Sequence, residues 1–167
     1  MNKFIRFFIA SSGLLLGSTL VASAQDNAPS GVSEEAIRYE EQCRWRDMDS
    51  CERLGFLYQQ GEGVPQDYLE AAKLFRRGCD GGNMLGCSLL GTLYEAGEGV
   101  PQDYLKATKL YRQVCDDGNM LGCANLGYLY EMGKGVQQDD LKAAKLYRKG
   151  CDGGHQWGCD RLKELTE

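Results

Sequence analysis

Apolar residues recur along this chain in two alternating registers. One reads Leu54-Gly55-x-Leu57-Tyr58 and returns as Leu90-Gly91-x-Leu93-Tyr94 and Leu126-Gly127-x-Leu129-Tyr130. The other reads Leu69-x-Ala71-Ala72-x-Leu74-Phe75, with counterparts from Leu105 to Tyr111 and from Leu141 to Tyr147. Apolar positions at i, i+3 and i+4 trace one side of a helix rather than a strand. At about 100° per residue, Cys51, Leu54, Gly55 and Tyr58 share a face. Each register returns after 36 residues, and a fixed period of that size marks a stacked repeat protein. The pattern predicts an all-α solenoid of αα-hairpins. It begins with a half-hairpin, Ser33–Cys43, continues with helix pairs 48–60 with 68–78, 84–96 with 104–115, and 120–132 with 140–150, and closes with a helix over 156–165.

Polar and turn-forming residues punctuate these helices at matching places. Asp47, Asn83, Asn119 and His155 each precede a first helix, where a side-chain acceptor satisfies free backbone N–H groups. Histidine in that column is read as a local hydrogen-bonding residue rather than a catalyst. Gly61, Gly97 and Gly133 follow the last apolar position of the first helices, where a left-handed residue ends a helix well. Pro65 and Pro101 forbid continuation, Gln137 replaces proline in the third turn, and Asp67, Asp103 and Asp139 stand where the second helices need caps.

All eight cysteines fall into C-x7-C pairs on the same grid: Cys43 and Cys51, Cys79 and Cys87, Cys115 and Cys123, Cys151 and Cys159. Residues 1–24 read as a cleavable export signal. Lys3 and Arg6 precede an apolar stretch, Phe7 to Val21, and Ala22-Ser23-Ala24 supplies small residues for cleavage before Gln25. The apolar stretch falls short of the ~20 residues of a membrane span. Residues 25–32 are a flexible lead-in, and 33–167 form the repeat domain, about three full repeats with capping half-repeats. Export to the periplasm or beyond places the thiols in an oxidising compartment, where an even cysteine count reads as a disulfide framework.

Charge narrows the partners. The formal net charge is −5, and the expected signal holds two of the cations and no anion. An acidic chain without a basic tract argues against nucleic acid and anionic membranes. Lys73 and Arg76, Lys109 and Arg112, and Lys145 and Arg148 repeat at i, i+3 on the second helices, and read as a solvated outer face.

The string Leu-Gly-x-Leu-Tyr-x-x-Gly-x-Gly-Val-x-x-Asp, followed by Lys-Ala-x-Lys-Leu-Tyr, resembles the Sel-1-like repeat, a relative of the tetratricopeptide repeat. With C-x7-C pairs on a 36-residue period, the chain is similar to an exported branch, the Helicobacter cysteine-rich protein family. The resemblance implies a right-handed superhelix of disulfide-linked αα-hairpins. Some members of that branch are described as penicillin-binding proteins with weak β-lactamase activity; others in the wider class are adaptors. Cysteine pairing could run within each C-x7-C unit or across a hairpin, as Cys51–Cys79, Cys87–Cys115 and Cys123–Cys151. The second scheme strands Cys43 and Cys159 at opposite ends of the stack. The first uses all eight cysteines and is the one expected.

The residues themselves supply no hydrolytic site. Serine β-lactamases need Ser-x-x-Lys, and Ser30, Ser33, Ser50 and Ser88 are followed three places on by Ser33, Ala36, Arg53 and Gly91. C-x7-C is not a zinc spacing, one histidine cannot make a zinc enzyme, and C-x-x-C is absent. No metal or cofactor is expected, and no catalytic residue is assigned. The function expected is an exported, monomeric protein- or peptide-binding module. The alternative is a weak penicillin-binding protein or β-lactamase, acting on a β-lactam or cell-wall peptide. Where the units differ from one another, packing leaves room for recognition. The variable first-helix columns are Glu52, Ser88 and Ala124; Arg53, Leu89 and Asn125; and Phe56, Thr92 and Tyr128. They define the expected partner-binding groove.

Overall fold

The computed structural model describes residues 31–167. The expected export signal and all but the last two residues of the lead-in lie outside the described residues. Within them the chain forms eight α-helices and no strand: α1 (Glu34–Arg44), α2 (Met48–Gln60), α3 (Tyr68–Asp80), α4 (Met84–Ala96), α5 (Tyr104–Asp116), α6 (Met120–Met132), α7 (Asp140–Asp152) and α8 (Gln156–Thr166). Each helix packs on the next, so α2–α3, α4–α5 and α6–α7 are three stacked hairpins flanked by α1 and α8. This is the expected αα-hairpin solenoid.

The helix starts follow from local chemistry. Asp47 and Asn83 accept the N–H of Ser50 and Gly86, Asn119 accepts that of Leu121, and His155 accepts that of Gly158 through Nδ1. Asp67, Asp103 and Asp139 accept from Glu70, Lys106 and Lys142 at 2.9–3.0 Å. The second helices run on to Asp80, Asp116 and Asp152, past the expected ends at 78, 115 and 150. Their cysteines sit inside the last turn, and the N–H of Gly81 still reaches back to Arg77 and Gly78.

Two glycines of each turn have separate causes. Gly97 takes φ +77° to end α4, whereas Gly99, itself at φ +66°, is fixed also by close approach, since a Cβ there would collide with the backbone of Tyr68 at the start of α3. The turn of one hairpin thus rests directly on the second helix of the hairpin before it. Inside each hairpin, a first-helix glycine receives an aromatic ring from the second helix: Gly55 faces Phe75, Gly91 faces Tyr111 and Gly127 faces Tyr147. Those three rings are fully buried and form the spine of the core. Four disulfides, Cys43–Cys51, Cys79–Cys87, Cys115–Cys123 and Cys151–Cys159, staple the end of α1, α3, α5 or α7 to the first turn of the next helix. The Cα atoms are 4.4–4.6 Å apart. The within-unit pairing is the one formed.

Candidate functional site

The first helices α2, α4 and α6 are each gripped on two sides, by their own second helix and by the second helix of the preceding unit. The face left free is therefore narrower than periodicity alone suggests. Arg53 and Phe56 lie open on it, and Leu89, Thr92, Asn125 and Tyr128 are half-buried along it. The remaining expected column does not belong there. Ser88 and Ala124 are 1 % and 0 % exposed, and Glu52 is half-buried. The cause is the second helix of the same hairpin: a Cβ built on Gly150 would lie 3.5 Å from that of Ala124, and one on Gly78 would lie 4.0 Å from the backbone of Glu52. Ser88 and Ala124 are packing residues and leave the groove. Glu52 keeps one foot in it, and burial raises its carboxyl above the usual range.

At the α1 end of this face, a cavity of about 300 Å³ is lined by Glu35, Tyr39, Glu52, Arg53, Phe56 and Leu57. The Arg53 guanidinium lies 5.9 Å from the centre of the Tyr39 ring. Phe56 beside it is 42 % exposed. Tyr39 occupies the column of Phe75, Tyr111 and Tyr147. No first helix among the described residues precedes α1, so its ring stays half-exposed.

The α8 end is also aromatic. The Tyr128 and Trp157 rings stand 6.1 Å apart, Tyr147 meets Trp157 edge-on at 5.8 Å, and Trp157 remains 38 % exposed. Lys134, from the third turn, lies 4.8 Å above the Tyr128 ring and 5.4 Å above that of Tyr104. It donates to the Tyr128 hydroxyl, which raises its pKa above the usual lysine value.

Between the free face and the core runs a line of paired charges. Tyr111 donates to Glu95 at 3.2 Å and Tyr147 to Glu131 at 2.6 Å. Lys134 approaches Glu95 at 3.8 Å, and Arg161 of α8 pairs with Glu131. Burial, reinforced by the adjacent carboxylate, pushes both phenols far above their ordinary value of about 10. Each carboxylate is matched by a cation from the next unit along, so these charges are fixed parts of the stack.

Tyr39, Trp157 and Lys134 were not among the residues expected at the site. Their signal was available: Trp157 ends a column that otherwise reads Asp49, Leu85 and Leu121, and Lys134 stands where the other turns carry Glu62 and Glu98. Among the described residues no group of three or more His, Cys, Asp or Glu side chains could hold a metal. The described serines are all engaged or enclosed. Ser33 caps α1, Ser50 donates to Gln42 and Asp47, and Ser88 is buried.

A stack of hairpins, each with a glycine against an aromatic ring and a Gly-x-Gly turn, is matched by the family model for the Sel1 repeat at residues 49–83, 85–119 and 121–155, well over half of the chain. The chain belongs to the Sel1 repeat family. No curated protein matches it. Among solved structures it is similar to c5321, a protective antigen of uropathogenic Escherichia coli with an SLR fold. That match has 29 % identity and a TM-score of 0.73, and covers 76 % of this chain and 27 % of that one. A Sel1 repeat protein from Oxalobacter formigenes aligns at 27 % identity and TM-score 0.73, over 77 % of this chain and 53 % of that one. Helicobacter pylori cysteine-rich protein B aligns at 28 % identity and TM-score 0.60, over 77 % of this chain and 92 % of that one. The chain thus spans about a quarter of the first of these relatives and about half of the second. Two of the disulfides, Cys79–Cys87 and Cys115–Cys123, join one Sel1 unit to the next, and the other two tie the first unit to α1 and the last to α8.

Proposed function

We propose that this Sel1 repeat protein is an exported protein-interaction module that grips a protein or peptide partner along the free face of its first helices. The observation that carries this reading is the pair of exposed aromatic sites at the two ends of that face, Tyr39–Phe56 with Arg53 and Tyr128–Trp157 with Lys134. Rigid aromatic rings with an adjacent cation are the side chains that dominate binding energy at interfaces. Stacked repeats line this side of the array into an extended binding surface. Four closed disulfides fit an oxidising compartment and support export. The test is capture of a partner from envelope and culture fractions, followed by Arg53→Glu, Glu52→Lys and Phe56→Ala. Loss of the same captured protein supports the reading, and retention by all three variants places the groove elsewhere.

We infer further that β-lactam turnover is slow or absent. Opening the lactam needs an activated nucleophile and donors for the developing oxyanion, and loss of one such donor alone costs about 3–4 kcal/mol. The described serines are held as a cap, in a hydrogen-bonded pair or in the core. A nitrocefin assay on disulfide-intact protein should read far below about 10 s⁻¹, the median for enzymes. Turnover at that level, abolished by one point substitution, would contradict the interaction reading.

A further inference from the structure

On the outer side of the stack, Tyr58 and Tyr94 each sit at the floor of a groove between α1 and α3 or between α3 and α5. Over Tyr94 the groove measures about 290 Å³, with Leu90, Leu110 and Cys79 as apolar floor, Asp80 at the rim, and Arg76, Lys106 and Lys109 around it. Arg76 donates to the Tyr94 hydroxyl, and Lys106 lies 5.0 Å above the Tyr94 ring. One unit further on the polar contacts repeat, beside a third groove of about 330 Å³ lined by Tyr130, Lys142 and the turn from Val136 to Asp139: Arg112 donates to Tyr130 at 3.2 Å and Lys142 lies 5.2 Å above its ring. The equivalent groove one unit earlier, over Tyr58, differs in sign. Glu40 stands in place of Arg76 and Glu70 in place of Lys106. There Glu40 pairs with Arg44 at 3.2 Å and Glu70 with Lys73 at 2.8 Å, while Arg77 donates to the Arg44 carbonyl.

In the second and third grooves, Arg76, Lys109, Arg112 and Lys145 make no salt bridge among the described residues. Lys106 and Lys142 reach only the capping aspartates Asp103 and Asp139 of their own helices. An acidic protein thus concentrates unpaired cations over two tyrosine-floored grooves, one repeat apart. This side is distinct from the proposed partner face, because Tyr94 lies about 160° around α4 from Thr92 at 100° per residue.

We propose that these two outer grooves form a second docking surface, for an extended acidic segment of a partner polypeptide. One carboxylate sits at Arg76–Lys106 over Tyr94, and a second sits at Arg112–Lys142 over Tyr130. The guanidinium and ammonium groups supply charge-assisted donors for carboxylates. The apolar floor of Leu90, Leu110 and the disulfide selects an occupant that carries aliphatic side chains beside its acids, which a sulfated glycan lacks. The two sites lie one repeat apart, at most two helix spacings of about 10 Å, which an extended chain covers in no more than about six residues. A segment with acidic residues at every third position and apolar residues between them therefore offers a carboxylate to each groove.

The test is fluorescence anisotropy with a labelled peptide of glutamates separated by paired leucines, at low and physiological salt. A heparin oligosaccharide serves as the polyanion probe. The expected result is saturable peptide binding that weakens with salt. Affinity should fall at least about tenfold in Arg76→Glu/Lys106→Glu, and also in Lys109→Glu, whose exposed side chain holds nothing in place. It should rise in Glu40→Arg/Glu70→Lys, which copies the second groove onto the first. Arg53→Glu, on the other face, should leave it unchanged, so this surface and the first-helix face fail separately. Absence of saturable binding, loss in Arg53→Glu instead, or heparin bound more tightly with the same variant dependence would each overturn the proposal.

Discussion

The first hairpin and the two that follow it share one backbone design but not one set of polar residues. In the first, Phe75 fills the seat beside Gly55 and the neighbouring first-helix position is Gln59. In the second and third the ring is tyrosine and the neighbour glutamate: Tyr111 with Glu95, Tyr147 with Glu131. Both members change together, because a buried phenol needs an acceptor and a buried carboxylate needs donors. The outer grooves change in parallel, from the paired carboxylates Glu40 and Glu70 beside Tyr58 to Arg76 and Arg112, which have no carboxylate partner among the described residues, beside Tyr94 and Tyr130. The loop before the first hairpin also departs from the others. It reads Arg44-Trp45-Arg46, with Trp45 85 % exposed and Arg46 at φ +69°, where later loops place Gly82, Gly118 and Gly154. Packing positions repeat because every unit must stack, whereas polar positions diverge where a unit carries a surface of its own.

The comparison breaks most clearly at the disulfides. Replacing Cys115 and Cys123 with alanine should cost about 2–3 kcal/mol, the entropy of closing a short loop, and should weaken the docking of α6 on α5. Replacing Cys43 and Cys51 loosens only α1 against the stack, since nearest-neighbour coupling confines a terminal loss. Urea titration of the two variants checks this: a fall in midpoint for the central pair, against selective loss of amide protection in α1 for the terminal pair. Equal and global effects would mean that the stack unfolds as one body.

Next in size is the tyrosine–glutamate pair. Tyr147→Phe should cost about 1–2 kcal/mol near pH 7, because Glu131 keeps Arg161 but loses one donor. The phenols of Tyr111 and Tyr147 are raised above their ordinary value, so the folded state holds these protons more tightly than the unfolded chain. Their contribution is complete below about pH 10 and is lost as pH rises beyond it. Stability measured from pH 8 to 11 should fall less steeply in Tyr111→Phe/Tyr147→Phe than in the parent. An unchanged slope would remove these two residues from the alkaline transition.

The smallest effect has the opposite sign. Arg46→Gly should stabilise the protein by about 0.5–1 kcal/mol, since glycine relieves the left-handed backbone at the cost of some chain entropy. Thermal denaturation should show a rise in Tm of a few degrees, while Gly118→Arg at the equivalent place lowers it.

Much of this was legible in the residues. Helix positions and caps follow from three nearly identical units, because a feature that recurs on a fixed grid has a stacking cause, whereas the disulfide partners follow from the count, since only within-unit pairing uses all eight cysteines. The free face was only partly legible. Periodicity states the angle of Ser88 and Ala124 around their helices, but not that α5 and α7 would wrap far enough to cover that angle. Tyr39 joins the candidate site because no first helix among the described residues precedes α1, and Trp157 because an indole stands where its column otherwise carries Asp49, Leu85 and Leu121. The sign change over the outer grooves was present in the repeat columns. Its meaning depended on Arg76 and Arg112 bending to a tyrosine of the next unit, which spacing alone does not state.

The central claim is that a partner engages the free face of the first helices through its two aromatic ends. The most direct measurement is site-specific photocrosslinking from Phe56 and Tyr128, with Ser88 as the buried comparison, in cells that produce the protein. Phe56 and Tyr128 should both give adducts with the same partner, Ser88 should give none, and Arg53→Glu should diminish them. Adducts absent from both positions, or undiminished by that substitution, would contradict the claim.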